Sequence, residues 1–259
     1  MSTQLHKRAL VCGASSGIGR EIALELSKRG VTCILLARRS ERLIDVQQEI
    51  LDANGAEPIL LVGDLEEMDT ILPRIDELLQ TSPIHILINN TGGPKGGALL
   101  QAQPEEFLSA FQRHVIAAHL LAQKIVPSMK QAGFGRIINI ISTSVYEPIP
   151  NLGVSNTIRG AMAAWAKSLS RELPPKITIN NVLPGFTDTE RLTALQNGRA
   201  QKEGIAPEKV KENWLLDVPE GRLAHPQETA KAVCFLASED AGYIRGVSLS
   251  VDGGRLRSI

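Results

Sequence analysis

Short apolar runs alternate along this chain with longer stretches of helical periodicity. The runs predict strands at Arg8–Cys12, Thr32–Ala37, Pro58–Gly63, Ile84–Asn89, Arg136–Ile141, Thr178–Leu183 and Val247–Val251. The stretches between them predict helices at 17–30, 40–54, 68–80, 104–132, 155–173 and 226–238. Runs such as HILIN and RIINII are apolar with hardly a break, which is typical of strands buried on both faces of a parallel sheet. The alternation therefore predicts an α/β fold with a doubly wound parallel sheet of the Rossmann type.

The length and composition fit one globular domain that spans residues 1–259. A chain of 259 residues with 43% hydrophobic content can bury a single core. Basic and acidic residues number 28 each, so we expect no nucleic-acid partner and no anionic membrane surface as partner. No apolar run reaches the ~20 residues of a membrane span, and the N-terminus does not resemble a signal peptide. These features predict a cytoplasmic protein.

The three cysteines are widely spaced and form no CxxC pair. Such spacing indicates neither a disulfide framework nor a zinc site. The four histidines other than His114 also lack the spacing of metal ligands. We therefore expect no metal.

One segment interrupts the alternation of strands and helices. Residues 188–223 are polar, helix-prone and longer than most connections. They follow a predicted strand, so they lie at the carboxyl edge of the sheet, where ligands bind in folds of this class. The segment is interpreted as a substrate-loop insertion that acts as a flap, with a mobile surface excursion as the alternative.

A glycine-rich turn follows the first predicted strand and opens the first predicted helix. Its sequence is Gly13-Ala-Ser-Ser-Gly17-Ile-Gly19. Glycines allow the backbone to approach a pyrophosphate, and the helix N-terminus offers free N–H groups and a partial positive charge. The turn predicts a dinucleotide-phosphate site formed by Gly13, Ser15, Ser16, Gly17, Ile18 and Gly19.

Two arginines stand where the second strand ends. Dinucleotide sites specific for NAD place an acidic residue there to bind the ribose hydroxyls. This chain has Arg38 and Arg39 instead, and guanidinium groups bind phosphate as a planar, permanently charged fork. The position predicts a site for a 2′-phosphate, and hence NADP as cofactor. The alternative is a solvated basic start of the next helix, where Glu41 and Arg42 also lie.

These motifs resemble those of the short-chain dehydrogenase/reductase family over nearly the whole chain. The turn is similar to the family's TGxxxGIG, with Cys12 in place of Thr. The other similar stretches are Asp64-Leu65 (the adenine-contacting pair), Asn89-Asn90-Thr91-Gly92 (NNAG), Asn181-Val182-Leu183-Pro184-Gly185 (NxxxPG), Phe235-Leu236-Ala237-Ser238 and Val251-Asp252-Gly253-Gly254. The overall pattern resembles the 3-oxoacyl-acyl-carrier-protein reductase branch.

The resemblance implies further cofactor-binding residues and an assembly. By it, the cofactor site also includes Asp64, Leu65, Asn90, Thr91, Gly92, Arg159, Pro184, Gly185, Thr187 and Thr189. Two of these assignments have a plain structural alternative: the stretch after Asn90 can be a simple tight turn, and Thr189 can cap a helix. The resemblance also implies a homodimer or homotetramer with the helices at 104–132 and 155–173 at the interface.

The catalytic residues depart from the family pattern. The family uses an Asn, a Ser, and a Tyr followed four residues later by Lys. Ser142 matches the family Ser, but Ser155 stands at the Tyr position and Arg159 at the Lys position, and the Asn position corresponds to His114. An aliphatic hydroxyl is a far weaker acid than a phenol, and arginine stays protonated with a pKa above ~12. The site thus keeps a hydroxyl and a cation but weakens the acid.

Three groups could replace the phenol as proton donor. His114 has an imidazole suited to proton transfer and falls on the inward face of its helix with Phe111 and Ala118. Tyr146 lies four residues after Ser142, on the loop expected to overhang the nicotinamide. The third candidate is water held by Ser142 and Ser155. A hydrogen-bonded core histidine and a packing tyrosine are the structural alternatives for the first two.

The sequence leads to two hypotheses about function. The first is an NADP-dependent oxidoreductase that reduces a small-molecule carbonyl, with a 3-oxoacyl thioester as one such substrate, by means of an altered proton donor. The second is a catalytically degenerate NADP-binding sensor or complex subunit, which rests on Ser155 and Arg159.

Overall fold

Within residues 6–258, which the computed structural model describes, seven parallel strands form one sheet. The strands are β1 Arg8–Cys12, β2 Thr32–Ala37, β3 Ile59–Val62, β4 Ile86–Asn89, β5 Gly135–Ile140, β6 Ile177–Pro184 and β7 Ser248–Val251. Their order across the sheet is β3-β2-β1-β4-β5-β6-β7. The chain therefore winds outward in both directions from β1 and β4, which creates a switch point where ligands bind in such sheets.

Helices cover both faces of the sheet. Their bounds are α1 Gly17–Ser27, α2 Ser40–Asp52, α3 Met68–Thr81, α4 Pro104–Phe111, α5 Ala117–Ala132, α6 Gly153–Glu172, α7 Glu190–Glu203, α8 Pro207–Leu215 and α9 Pro226–Ala237. One apolar core lies between the sheet and α1, α2 and α9. A second core lies between the opposite face and α3, α5 and α6. The predicted doubly wound, Rossmann-type α/β fold is confirmed.

The predicted helix at 104–132 contains a break. A π-helical turn over Gln112–Ile116 separates α4 from α5. Such a turn inserts about one extra residue into the helical repeat, so the residue one turn before His114 on the buried face is Ala110. Ala110 is fully buried, whereas Phe111 is 40% exposed. The expectation that Phe111 faces inward is therefore wrong.

A ladder of side-chain amides ties four strands together below their carboxyl ends. Asn89 Nδ2 donates to Asn139 Oδ1 (2.8 Å), and Asn139 Nδ2 donates to Asn181 Oδ1 (2.9 Å). Asn181 Nδ2 then donates to Ser248 Oγ (3.1 Å). Buried amides need such partners, and here they fix the register of β4 to β7 directly beneath the loops that carry Asn90 and Ser142.

The segment 188–223 forms two helices, α7 and α8, with a small core of their own. Ala200, Val210 and Trp214 are its buried residues, and the Trp214 ring stacks on Phe186 with centroids 5.1 Å apart. This cluster is separate from the two cores that cover the sheet. Of the helices described in residues 6–258, none has both the length and the apolar character needed to cross a bilayer.

Candidate active site

A cavity of about 1020 Å³ opens along the carboxyl edge of the sheet. The loops after β1 to β6 line it, together with α6, α7 and Trp214. The lining includes Gly13, Ser15, Ser16, Gly17, Ile18, Arg38, Arg39, Asp64, Leu65, Asn90, Thr91, Gly92, Ser142, Ser155, Arg159, Pro184, Gly185, Thr187 and Thr189. Nearly all the residues proposed from sequence therefore meet at one cavity.

In the glycine-rich turn the backbone packs so closely against neighbouring atoms that a side chain would not fit. Gly13 and Gly17 adopt positive φ, at 63° and 54°. A Cβ on Gly13 would lie 2.6 Å from Asn90 Nδ2, and one on Gly19 would collide with the Gly13 carbonyl. Asn90 Nδ2 donates to the carbonyls of Cys12 (3.2 Å) and Gly13 (3.4 Å), which fixes the turn from β4.

The N-terminus of α1 fits a phosphate. Ser16 precedes the helix, but its side chain makes no capping hydrogen bond, and the first turn of α1 has no acidic residue. The first N–H groups of the helix and its positive dipole end are therefore available to an anion. Together with the close approach of the backbone at Gly13, this donor set suits a pyrophosphate.

Arg38 and Arg39 line the cavity near the glycine-rich turn. Arg38 Nη1 is 3.4 Å from Asp64 Oδ2, and Arg39 Nη2 is 3.3 Å from Ser16 Oγ. Arg42, in contrast, forms an ion pair with Glu190 (3.1 Å) and does not line the cavity. Arg38 and Arg39, which precede α2, therefore line the cavity, whereas Arg42 on α2 itself does not.

Ser142, Ser155 and Arg159 meet in the middle of the cavity. Ser142 follows β5, and its Oγ accepts a hydrogen bond from the Ser144 N–H (3.0 Å). Arg159 lies one turn after Ser155 on α6 and donates from Nη1 to the Ile140 carbonyl (2.9 Å). Burial, and next the nearby Arg191 guanidinium, lower the pKa of Arg159 to about 10, so it remains a cation at neutral pH.

His114 lies behind Arg159 and does not line the large cavity. It borders a second cavity of about 10 Å³ together with Arg159 and Thr91, and its Nε2 has no hydrogen-bond partner among residues 6–258. Burial, and then the charges of Arg159 and Arg113, lower the pKa of His114 to about 2, although the Gly92 backbone opposes the shift. The imidazole is therefore neutral near pH 7 and holds no proton to donate as an acid.

Tyr146 is not brought to the site. It follows the short 3₁₀ helix Thr143–Val145, is 50% exposed and does not line the large cavity. The expectation that it overhangs the nicotinamide does not match this position, because the 3₁₀ turn carries residue 146 away from the cavity.

The loop after β6 closes against the phosphate turn. Thr189 caps α7 by accepting from the Leu192 N–H (3.2 Å), and its Cγ2 also lies 3.2 Å from where a Cβ on Gly17 would be. Capping and proximity to the cofactor turn are therefore compatible roles for Thr189. Thr187 Oγ1 donates to the Gly185 carbonyl (3.3 Å), and a Cβ on Gly185 would meet Asp252.

Several cavity residues were not singled out from the sequence. They are Lys95, Arg191, Arg199, Lys202 and Arg255. Most of them lie in the insertion or at the C-terminus, where basic and acidic residues alternate without a recognisable motif. Only Lys95, within the glycine-rich stretch after β4, stands out as a lone charge that could have drawn attention.

Comparison with known proteins identifies the family. Residues 13–255 match a family described as enoyl-(acyl carrier protein) reductase. The 3-oxoacyl-[acyl-carrier-protein] reductase FabG of Haemophilus influenzae is 38% identical over 96% of this chain and 97% of its own. The chain belongs to the short-chain dehydrogenase/reductase family. The resemblance predicted from the motifs is thereby confirmed.

Other members of the short-chain dehydrogenase/reductase family match over their full length. The NADPH-dependent reductase BacG of Bacillus subtilis is 32% identical over 98% of this chain and 99% of its own. The crystal structure of YwfH, an NADPH-dependent reductase involved in bacilysin biosynthesis, superposes with a TM-score of 0.92 at 31% identity, covering 98% of this chain and 100% of that one. An actinorhodin polyketide ketoreductase variant with NADPH gives a TM-score of 0.92 at 28% identity, with full coverage of both chains.

Proposed function

We propose that this protein is an NADPH-dependent oxidoreductase that reduces a carbonyl substrate without a tyrosine as proton donor. The observation that carries the proposal is the meeting of Ser142, Ser155 and Arg159 in one cavity with the phosphate turn and Arg38. Relatives that use or bind NADPH support the same cofactor. A 3-oxoacyl thioester, the substrate in the name of the FabG relatives, is a candidate substrate.

The residues present fit NADPH, which supplies a hydride when bound. The glycine turn and the α1 N-terminus would hold the pyrophosphate, because both present backbone N–H groups without a competing cap. Arg38 and Arg39 would hold the 2′-phosphate through charge-assisted hydrogen bonds. Asp64 and Leu65 would contact the adenine, Asn90, Thr91, Gly92 and Arg159 the nicotinamide ribose, and Pro184, Gly185, Thr187 and Thr189 the carboxamide and pyrophosphate.

Ser142 and Ser155 would bind the substrate carbonyl oxygen through their hydroxyl groups. Arg159 adds a positive charge beside them in a largely buried position. As negative charge develops on the carbonyl oxygen, a fixed cation in such surroundings stabilises it more strongly than water does. The chain thus retains electrostatic catalysis although the phenol is missing.

The proton would come from the Ser155 hydroxyl, resupplied by water from the large cavity that Ser155 lines. A separate 10 Å³ cavity, which Ser155 does not line, is bordered by Arg159 and His114, and its volume is near the lower limit of about 10–15 Å³ that holds one water molecule. A neutral His114 with a free Nε2 can accept a hydrogen bond there. General acid catalysis contributes roughly 10²–10⁴-fold, so a weaker donor predicts a slow enzyme, not a dead one.

A substrate panel tests the proposal. The purified protein is assayed for NADPH oxidation with 3-oxoacyl thioesters, oxo acids, ketones and aldehydes, and for NADP reduction with the corresponding alcohols. We expect turnover above background with at least one class. Binding of NADPH without turnover across the panel would remove the reductase proposal.

The second candidate function is an NADP-binding sensor or complex subunit, favoured by the absence of tyrosine and lysine at positions 155 and 159. The double variant Ser155→Tyr with Arg159→Lys separates the two candidates. A gain of roughly 10²-fold or more in turnover, the size of a restored general acid, would indicate a degenerate native site. Native turnover that falls in the variant would indicate a site rebuilt around serine and arginine.

A further inference from the structure

The cavity as a whole is strongly basic. The whole chain has no net charge, yet nine basic residues and three acidic residues line the cavity. Each of the three acidic residues already has an ion-pair partner: Asp64 with Arg38, Glu190 with Arg42, and Glu203 with Arg199. Arg113 is paired with Glu66, outside the cavity wall. The other six basic residues of the wall have no acidic partner among residues 6–258.

Two guanidinium groups converge at the centre of this basic region. A Cβ placed on Gly93 would lie 3.5 Å from Arg191 Nη2 and 3.7 Å from Arg159 Nη2. The same point is 3.9 Å from Ser155 Oγ. Since Gly93 has no side chain, the space that these three groups surround is left open to the cavity.

Neither arginine has a carboxylate partner among residues 6–258. Arg159 is 8% exposed and donates only to the Ile140 carbonyl. Arg191 donates from Nη2 to the Pro94 carbonyl (2.6 Å), which fixes its head group beside Gly93. Two cations this close repel each other, and a largely buried cation without a counter-charge is costly. An anion bound between them would remove both penalties.

Resting on the proposed reductase function, we infer that Arg159 and Arg191 bind a carboxylate of the substrate next to the carbonyl that Ser155 contacts. Both guanidinium groups and the hydroxyl lie within 4 Å of one point beside Gly93, so an anionic group and a carbonyl oxygen bound to them would be near neighbours. A 2-oxo acid has this arrangement, and guanidinium groups bind carboxylates through paired, charge-assisted hydrogen bonds.

The rest of the substrate would be apolar. The cavity wall also carries apolar side chains, which include Ile149, Leu152, Leu192, Leu195 and Trp214. The loop at Gly96 lies between two of these leucines, because a Cβ there would be 3.3 Å from Leu152 Cδ2 and 4.0 Å from Leu195 Cδ2. The substrate class is therefore a 2-oxo acid with a hydrocarbon chain.

Arg191 is assigned to the substrate and not to the cofactor phosphates because of its neighbours. Thr189, two residues earlier, is the residue that packs against Gly17 of the phosphate turn. Arg191 instead lies against Pro94, on the loop that faces Ser155 and Arg159. The first turn of α7 thus places one side chain at each of the two subsites.

Calorimetric titration tests the assignment without turnover. The protein is saturated with NADP, which has no hydride to give, and titrated with 2-oxooctanoate or with its uncharged methyl ester. We expect the acid to bind roughly 10- to 100-fold more tightly than the ester, the usual size of a lost charge-assisted pair. Arg191→Gln should strongly reduce this difference, because only Arg159 then faces the carboxylate, and Arg191→Lys should retain more of it. Lys211→Gln, which removes a charge from an exposed site on α8, should leave it intact.

The outcomes separate this inference from the proposed function. Equal binding of acid and ester by the native protein, or no binding of either, would overturn the carboxylate site. A loss of NADP affinity in Arg191→Gln with the acid preference unchanged would assign Arg191 to the cofactor instead. If the native protein binds no NADP, the proposed function fails, and the same titrations on the cofactor-free protein still decide whether the arginine pair selects a carboxylate. Melting curves of each variant verify folding.

Discussion

At the scale of single residues, Arg38 and Arg39 are the proposed determinants of the choice of cofactor. Both lie beside the phosphate turn, and each has only one weak polar contact at 3.3–3.4 Å, so their remaining donors are available to a 2′-phosphate. We expect Arg38→Ala with Arg39→Ala to weaken NADPH binding by roughly 10- to 100-fold and to leave NADH binding nearly unchanged. Calorimetric titration with both nucleotides measures this, with Arg42→Ala as the matched control because Arg42 is paired with Glu190. Equal affinities of the native protein for NADPH and NADH would refute the arginine assignment.

His114 gives the protein a specific pH dependence. In the unfolded chain a histidine takes up a proton below about pH 6.5, whereas the folded chain keeps His114 neutral down to about 2. The unfolded state therefore binds more protons in this window, and the free energy of unfolding falls as the pH decreases. From about pH 7 to pH 5 this contribution amounts to about 2 kcal/mol.

Chemical denaturation of the native protein and of His114→Asn at both pH values measures the effect. The native protein should lose more stability on acidification than the variant does. His85, whose pKa burial also lowers, is present in both proteins and cancels in the comparison. His119→Gln, an exposed position on α5, is the control and should behave like the native protein. Parallel pH dependences of native protein and His114→Asn would contradict the low pKa.

Cavity residues that belong to a recognisable motif could be predicted from the sequence. Cavity residues that only the fold brings there could not. Ser142, Ser155 and Arg159 lie in or near recognisable patterns, and the structure brings them together. Arg191 joins them across 32 residues from Arg159 because α7 turns back over the sheet, and no pattern around it signals this. The inward position of His114 followed from helical spacing, but its low pKa depends on the burial of its ring and on the neighbouring Arg159 charge.

At the scale of elements, the π turn shows where periodicity fails as a guide. Regular spacing predicted Phe111 and His114 on one face, and the extra residue of Gln112–Ile116 exposes Phe111 while His114 stays buried. One extra residue within a helical repeat cannot be recognised from the amino-acid composition. The strands of the sheet were easier to predict. Both faces of a buried strand are apolar, so an apolar run indicates a strand whichever face each residue occupies.

The insertion formed by α7 and α8 should unfold as a unit of its own. Its core centres on Trp214, which stacks on Phe186 at 5.1 Å with the rings 13° from parallel. Replacing a buried tryptophan by alanine costs about 3–5 kcal/mol of folding free energy. A core with only three buried residues cannot lose this much stability and stay folded. We expect Trp214→Ala to abolish amide protection over Glu190–Leu215 in hydrogen exchange, with β1, β4 and β5 still protected.

The neighbouring residue provides the control for this experiment. Leu216→Ala removes an apolar side chain that is 85% exposed, so protection of the insertion should persist. If Trp214→Ala lowered protection throughout the sheet, the insertion would be an integral part of the main fold. That result would also argue against its role as a flap that moves independently over the cavity.

At the scale of the whole molecule, overall charge and local charge carry different information. Equal numbers of basic and acidic residues led to the prediction of no nucleic-acid or anionic membrane partner, yet the fold gathers basic residues around the cavity. The composition alone could not show this, because the residues come from the loops after β2, β4 and β7, from the π turn, and from α6 and α7. The prediction of an anionic cofactor depended on the glycine-rich turn and on Arg38 and Arg39, and that of an anionic substrate requires the assembled structure.

The family resemblance predicts a homodimer or homotetramer through the helices at 104–132 and 155–173. On α4, Leu108 is 69% exposed and lies near the exposed Phe111, an apolar surface of the kind that marks an interface. The edge strand β7 offers a second such surface, since Leu249 is partly exposed beside unpaired backbone groups. A charged substitution on one of these surfaces should weaken the assembly only if that surface forms the interface.

Sedimentation velocity of Leu108→Glu and Leu249→Glu distinguishes the two surfaces. We expect the native protein to sediment as a dimer or tetramer and Leu108→Glu to shift it toward smaller species, because a carboxylate buried without a partner opposes association. If Leu108→Glu keeps the native mass while Leu249→Glu lowers it, the assembly forms through β7 and the helical interface is wrong. Leu216→Glu, on the surface of the insertion, serves as the control, and a native protein that sediments as a monomer at all concentrations would remove the prediction entirely.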